Sequence, residues 1–189
     1  MSLDDYGALF GEALSRAGIA VPEGSLLHRA AEEVLEMAVA YRDDGITFLS
    51  GDDPVNALAG FAYGLGWLDA GLRLGLLAPP AVHPPGDLDA CIPDAKVAHL
   101  HEKTHRYRRM LRSALGMVEA APDVASSLRG GSGAFHAVAE FWYMEGVERL
   151  EAGDYAGALT RLSYGYAWLD AGIRAGLLRV TGERDLFTV

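Results

Sequence analysis

The sequence predicts an all-α protein built as two tandem, pseudo-twofold-related up-down-up three-helix bundles. The first observation is a repeated stretch. Tyr63-Gly-Leu-Gly-Trp-Leu-Asp-Ala-Gly-Leu-Arg-Leu-Gly-Leu-Leu77 returns 101 residues later as Tyr164-Gly-Tyr-Ala-Trp-Leu-Asp-Ala-Gly-Ile-Arg-Ala-Gly-Leu-Leu178. The second is that the same offset, without a gap, aligns Tyr6 with Tyr107, Ala13 with Ala114, Leu14 with Leu115, Gly45 with Gly146, Leu49 with Leu150, Asp53 with Asp154, Ala57 with Ala158 and Leu58 with Leu159. The third is helical periodicity in each copy, with apolar residues three and four apart and turns too short for anything but antiparallel neighbours. The offset divides the chain into a first repeat, 1–77, a Pro-rich linker, 78–95, a second repeat, 96–178, and a C-terminal tail, 179–189.

In chain order, Asp4 to Ala17 reads as a helix with Tyr6, Leu9, Phe10, Ala13 and Leu14 on one face. Gly18, Pro22 and Gly24 break it. Ser25 is the expected cap of a second helix running to Ser50, whose apolar stripe includes Leu27, Val34, Tyr41 and Phe48. Gly51-Asp52-Asp53-Pro54 ends that helix and starts the next: glycine tolerates a left-handed backbone, Asp53 can accept bonds from free N–H groups, and proline suits a first turn. The third helix, Pro54 to Leu74, stops at Gly75, with Leu76 or Leu77 placed to fold back on it. The second copy is expected to carry helices over Lys96–Ala121, Ala134–Ala152 and Tyr155–Ala175, with Pro122–Gly133 as a loop, Gly153-Asp154 as the tight turn and Gly176 as the last cap.

Composition bounds the rest. The chain has 189 residues, half of them apolar, enough to bury a real core. A single cysteine, Cys91, excludes an internal disulfide framework, and the absence of a charged and apolar leader points to a cytoplasmic location. The longest weakly charged run, Val55 to Leu68, is shorter than the roughly 20 residues of a membrane span, so no membrane partner is expected. Net charge is −10, unevenly spread: residues 1–95 carry 15 acids and 4 bases, residues 96–189 carry 11 and 12. Such a surface disfavours general binding of nucleic-acid backbone, because affinity for phosphates comes from Lys and Arg releasing counterions.

Four motifs invite a chemical reading. His101-Glu102-Lys103-Thr104-His105 matches the zinc-protease pattern, with His99 ahead of it. Lys103 between the histidines and Arg108 and Arg112 on the same face would repel a dication, and the core stripe Leu100, Thr104, Tyr107, Leu111, Ala114 leaves the histidines towards solvent. Lys96 to Arg112 holds six bases and one acid, which suits RNA or docking on the acidic first repeat or on a second molecule. Arg129 and His136 share a spacing found in certain helical ribonucleases, with glycines between them that argue against one catalytic face. Asp69–Arg73 and Asp170–Arg174 are kept in both copies at the helix ion-pair spacing. No residue is assigned to catalysis, to a cofactor or to a metal.

The acid-capped turn, the Ala-Leu-Ala third helix and the Gly-Trp-Leu-Asp-Ala-Gly-x-Arg-x-Gly-Leu segment resemble the archaeal family known as domain of unknown function 357. The pattern is met in Gly51–Leu77 and again in Gly153–Leu178. The resemblance implies a small helical bundle and implies no activity. Each helix pair is also similar to a tetratricopeptide unit in its knobs and small holes: Tyr41, Gly45, Phe48, Ala57 and Phe61, then Trp142, Gly146, Ala158 and Leu162.

The third helix sets the strongest structural demand. Between Ala57 and Leu74 its only charges are Asp69 and Arg73, and a helix apolar all round is buried all round. The two third helices are therefore expected to pack on each other, through Leu58, Phe61, Leu65, Leu68 and Leu72 and through Leu159, Leu162, Tyr166, Leu169 and Ile173. Gly64, Gly71, Gly165 and Gly172 are the candidates for close approach. The expected function is a non-catalytic adaptor or assembly module that binds another protein, a second copy of the chain being one candidate. The alternative is an RNA-associated helical domain, acting through Lys96–Arg112 or as a ribonuclease-like or nucleotidyltransferase-associated domain; metal binding through His99, His101 and His105 is the third reading.

Overall fold

The computed structural model describes residues 1–78 and 92–188, so most of the expected linker, with Cys91, lies outside the described residues. The elements are α1 (Leu3–Arg16), β1 (Gly18–Ile19), α2 (His28–Ser50), α3 (Pro54–Arg73) and β2 (Leu77–Ala78), then α4 (Val97–Gly116), β3 (Val118–Ala120), α5 (Arg129–Glu151), α6 (Tyr155–Arg174) and β4 (Leu178–Val180). Single 3-10 turns precede α4 and follow β4. The architecture is all-α, in two tandem three-helix units.

Local chemistry fixes the helix ends. Ser2 and Asp5 form a reciprocal capping box at α1. Asp53 accepts from Asn56 N at 3.1 Å and Asp154 from Gly157 N at 2.8 Å, so both tight turns start the next helix as expected. The left-handed residue of the first turn is Asp52 (φ 58°) and not Gly51; in the second it is Gly153 (φ 81°), at the equivalent place. Gly75 and Gly176 end α3 and α6 with paired bonds, Gly75 N to Leu72 O and Leu76 N to Gly71 O, then Gly176 N to Ile173 O and Leu177 N to Gly172 O. Leu76, Leu77, Leu177 and Leu178 fold back into the core behind these caps.

Several boundaries differ from expectation. α2 begins at His28 without a side-chain cap, and Ser25 belongs to the turn before it. α4 stops at Gly116 instead of Ala121. α5 starts at Arg129 and runs straight through Gly130, Gly131 and Gly133. Tertiary contact outweighs glycine's poor helix propensity there: Ser132 Oγ donates to Leu177 O at 2.7 Å and is fully buried.

Each repeat is also closed by a small antiparallel clasp absent from the periodicity reading. β1 pairs with β2, Ile19 opposite Leu77, and β3 pairs with β4, Ala120 opposite Leu178. The two registers are related by the same offset as the helices, so the clasp was duplicated with them. Residues 181–188 are not a loose tail: Phe187 is buried beside the Tyr166 ring, and the Tyr166 hydroxyl donates to Leu186 O.

At the centre α3 and α6 pack on each other, buried almost from end to end. Leu58, Leu65, Leu68, Leu159 and Leu169 are fully buried, as the all-apolar helix required, while Leu72 is half-buried. The glycines expected at the crossing are elsewhere. A Cβ at Gly64 would strike Phe10 and Tyr41, at Gly71 Val34 and Leu77, at Gly165 Trp142, and at Gly172 Leu178 and Phe135, all within the same repeat. The crossing is made by Gly66, whose added Cβ would lie 2.7 Å from Ala167 Cβ and from Tyr164 O. Phe61 and Leu162 also turn inward, onto Gly45 and Gly146 of their own repeats. The tetratricopeptide likeness places Ala57 and Ala158 against these two glycines; the side chains that fill the holes are Phe61 and Leu162.

Candidate functional site

Across the α3–α6 contact, each repeat gives its conserved-by-duplication tyrosine to the other repeat's aspartate. The Tyr164 hydroxyl donates to Asp69 Oδ2 at 2.6 Å, and the Tyr63 hydroxyl donates to Asp170 Oδ2. Both carboxyls are inside the protein, at 1% and 0% exposure. Burial pushes Asp170 up to about 7, against the opposing pull of the Tyr63 hydroxyl, of Thr188 and of the Arg174 charge. Burial also holds the Tyr63 and Tyr164 hydroxyls well above the ordinary tyrosine value, with the facing aspartates adding to it. They act as donors, not as phenolates.

The seam revises the expected Asp–Arg pairs. Arg73 is exposed at the end of α3, and Arg174 reaches Glu33 of the first repeat at 3.5 Å, while the aspartates take hydroxyls from across the interface. One signal for it was present in the sequence. Tyr and Asp six residues apart on one helix cannot meet, yet both copies keep both residues. Aromatic rings build the surroundings: Tyr41 lies edge-on to Tyr63 at 4.4 Å and Trp142 to Tyr164 at 5.1 Å.

The basic helix docks one edge on the first repeat. Lys96 pairs with Asp52 at 3.3 Å, His99 lies 3.8 Å from Asp53, and Lys103 donates to Asn56 Oδ1. Lys103 is buried, not solvated, with its ammonium 5.2 Å from the Tyr107 ring centre, and burial lowers its pKa. The histidines are not simply turned to solvent either. His101 stacks on Tyr155 at 3.6 Å, and His105 meets the same ring edge-on. His99 faces Asp53 instead, so the three imidazoles do not converge; among the described residues no group of three His, Cys, Asp or Glu is placed to hold a metal.

Arg129 and His136 do share α5, but both are tied to backbone. Arg129 Nη1 donates to Pro122 O at 2.9 Å, and His136 Nε2 lies 3.2 Å from Leu115 O. Arg106 pairs with Glu102 on its own helix, while Arg108, Arg109 and Arg112 have no ion pair among the described residues. No described helix is long and apolar enough to cross a membrane.

Comparison of the chain with curated proteins and with solved structures gave no match. A family model, described as "Protein of unknown function (DUF357)", matches it twice, over residues 5–77 and 106–178. With both three-helix units matched separately over most of the chain, the protein belongs to the DUF357 family as a tandem duplicate.

Proposed function

We propose that the protein is a non-catalytic helical adaptor or assembly module that binds another protein, in the cytoplasm of an archaeal cell. The observation that carries this reading is a groove on the outer face of the first repeat. Ile19, Leu35, Val39 and Ala40 give it an apolar floor, and Glu32 and Glu36 line it. Val39 remains 40% exposed after α3 and α6 have covered each other. An acidic-edged apolar groove suits a basic amphipathic segment of a partner, whose apolar side chains enter while Lys and Arg meet the glutamates. Affinity capture from native lysate with the wild-type chain and with Val39→Arg tests it. A protein retained by the wild type and lost with the variant supports the reading; identical sets from both sink it. Sedimentation of the purified chain distinguishes a second copy as the partner.

One observation favours a second reading. The arginines left unpaired on α4, Arg108, Arg109 and Arg112, could contact RNA phosphates. Salt-dependent RNA binding abolished by Arg108→Glu with Arg109→Glu would replace the adaptor reading with this one.

A further inference from the structure

A cavity of about 290 Å³ lies where the repeats meet, between α2 and α3 on one side and α4 and α6 on the other. Tyr41, Tyr63, Tyr107 and Tyr166 line it, with Asp44 and Gly60 among the remaining wall residues. Tyr63 and Thr188, both in the wall, hydrogen-bond the buried Asp170. Asp170 Oδ1 has no hydrogen-bond partner among the described residues. Asp44 is likewise unpaired there, since neighbouring Arg42 goes to Asp43 at 2.9 Å.

The duplication provides an internal comparison. The counterpart of Gly60, 101 residues on, is Arg161. That side chain is only 4% exposed, donates from Nη1 to Gly157 O at 3.2 Å and lies 4.0 Å from Glu145, the counterpart of Asp44. Its charge and that of Asp69 both reach Tyr6; Asp69 and Tyr6 are the counterparts of Asp170 and Tyr107. In the second repeat, then, a guanidinium of the chain itself lies buried beside the middle-helix acid Glu145, and its charge acts on the same first-helix tyrosine as that of the seam acid Asp69. In the first repeat glycine leaves the corresponding space open.

We propose that this cavity binds a small organic cation, a guanidinium or primary amine on a short alkyl stem, in the place that the Arg161 side chain takes in the second repeat. Lys103 does not already serve as that cation. Its ammonium, itself in the cavity wall, donates to Asn56 Oδ1, another wall residue. The tyrosine faces offer a favourable wall for a delocalised cation. Position 60 can also carry a side chain with little adjustment, because a Cβ there would be 3.4 Å from Tyr41 O and 3.6 Å from Gly45.

Calorimetric titration of the full chain with n-butylguanidinium, against its uncharged isostere n-butylurea, tests the proposal. The guanidinium is expected to bind at one equivalent per chain and at least about tenfold more tightly than the urea. Asp44→Asn, on an exposed part of α2, should weaken binding several-fold without moving the melting temperature. Gly60→Arg, which supplies the plug internally, should abolish binding in a protein that still melts cooperatively. No binding by the wild type, equal affinity for the two compounds, or binding unchanged in the variants would overturn the proposal. If Gly60→Arg does not fold, unchanged affinity in Asp44→Asn is sufficient to overturn it.

Discussion

The two ends of the α3–α6 seam descend from one ancestral contact and now differ in what stands beside it. At the Asp69 end a buried acid, a tyrosine hydroxyl and an internal guanidinium, Arg161, occupy the interface. At the Asp170 end the acid and the hydroxyl remain, but Gly60 leaves a cavity, and the carboxyl is pushed up to about 7 by burial. The crossing itself is unequal too, glycine at 66 against alanine at 167. Duplication thus preserved the groups that join the repeats, while small changes beside them altered charge and space at one end only. A pseudo-twofold scaffold allows this because each residue of the pair sits in its own environment, although backbone geometry is shared.

The crossing should show the largest effect. Gly66→Val places side-chain atoms against Tyr164 O and Ala167, where backbone cannot yield, and should cost about 3 kcal/mol or more in chemical denaturation. Ala167→Gly, on the facing helix of the same contact, should cost only about 1 kcal/mol, the helix-propensity difference. Similar losses at the two positions would mean that the crossing is not where the interface is tightest.

Asp170 should make stability depend on pH. Its folded pKa, about 7, lies above the ordinary 3.8, so its favourable contribution is fully present below about pH 4 and is lost as pH rises through 7. The total is on the order of a few kcal/mol. Melting curves of Asp170→Asn across that range should lack this slope; an unchanged slope would assign it to other groups.

Tyr63→Phe removes a donor to the buried carboxyl and should destabilise by about 1.5–3 kcal/mol near neutral pH. Because the Tyr63 hydroxyl pulls the Asp170 pKa down, its loss should also move the pH midpoint upward, which a simple packing defect would not do. The smallest effect is expected at the first tight turn. Asp52→Gly removes a left-handed non-glycine residue and restores the second repeat's choice, Gly153, but loses the exposed pair with Lys96; the net change should stay within about 1 kcal/mol of zero.

Much of the scaffold was legible because local rules agreed with the fold. Asp53, Asp154, Gly75 and Gly176 cap where their residue types predict, and the surplus apolar face of residues 57–74 correctly demanded a second helix as cover. The clasps escaped notice because strands of two or three residues carry no periodic signal. The start of α5 escaped because Gly130 and Gly131 argue locally for a loop, and only the contact of Ser132 with Leu177 overrides them. The four glycines assigned to the crossing were the right kind of residue on the wrong face, since knowing that two helices pack does not fix the rotation of either about its axis.

By itself, then, the sequence determined that there are two related helical units, where their helices turn, and that the third helix of each needs covering on all sides. Those are consequences of repetition, backbone chemistry and hydrophobic surface, all readable along the chain. Only the tertiary structure decided which atoms meet between the repeats. The tyrosines of one copy reach the aspartates of the other, and Arg161 fills a space that Gly60 leaves open, because both outcomes depend on side chains about a hundred positions apart being brought to one seam.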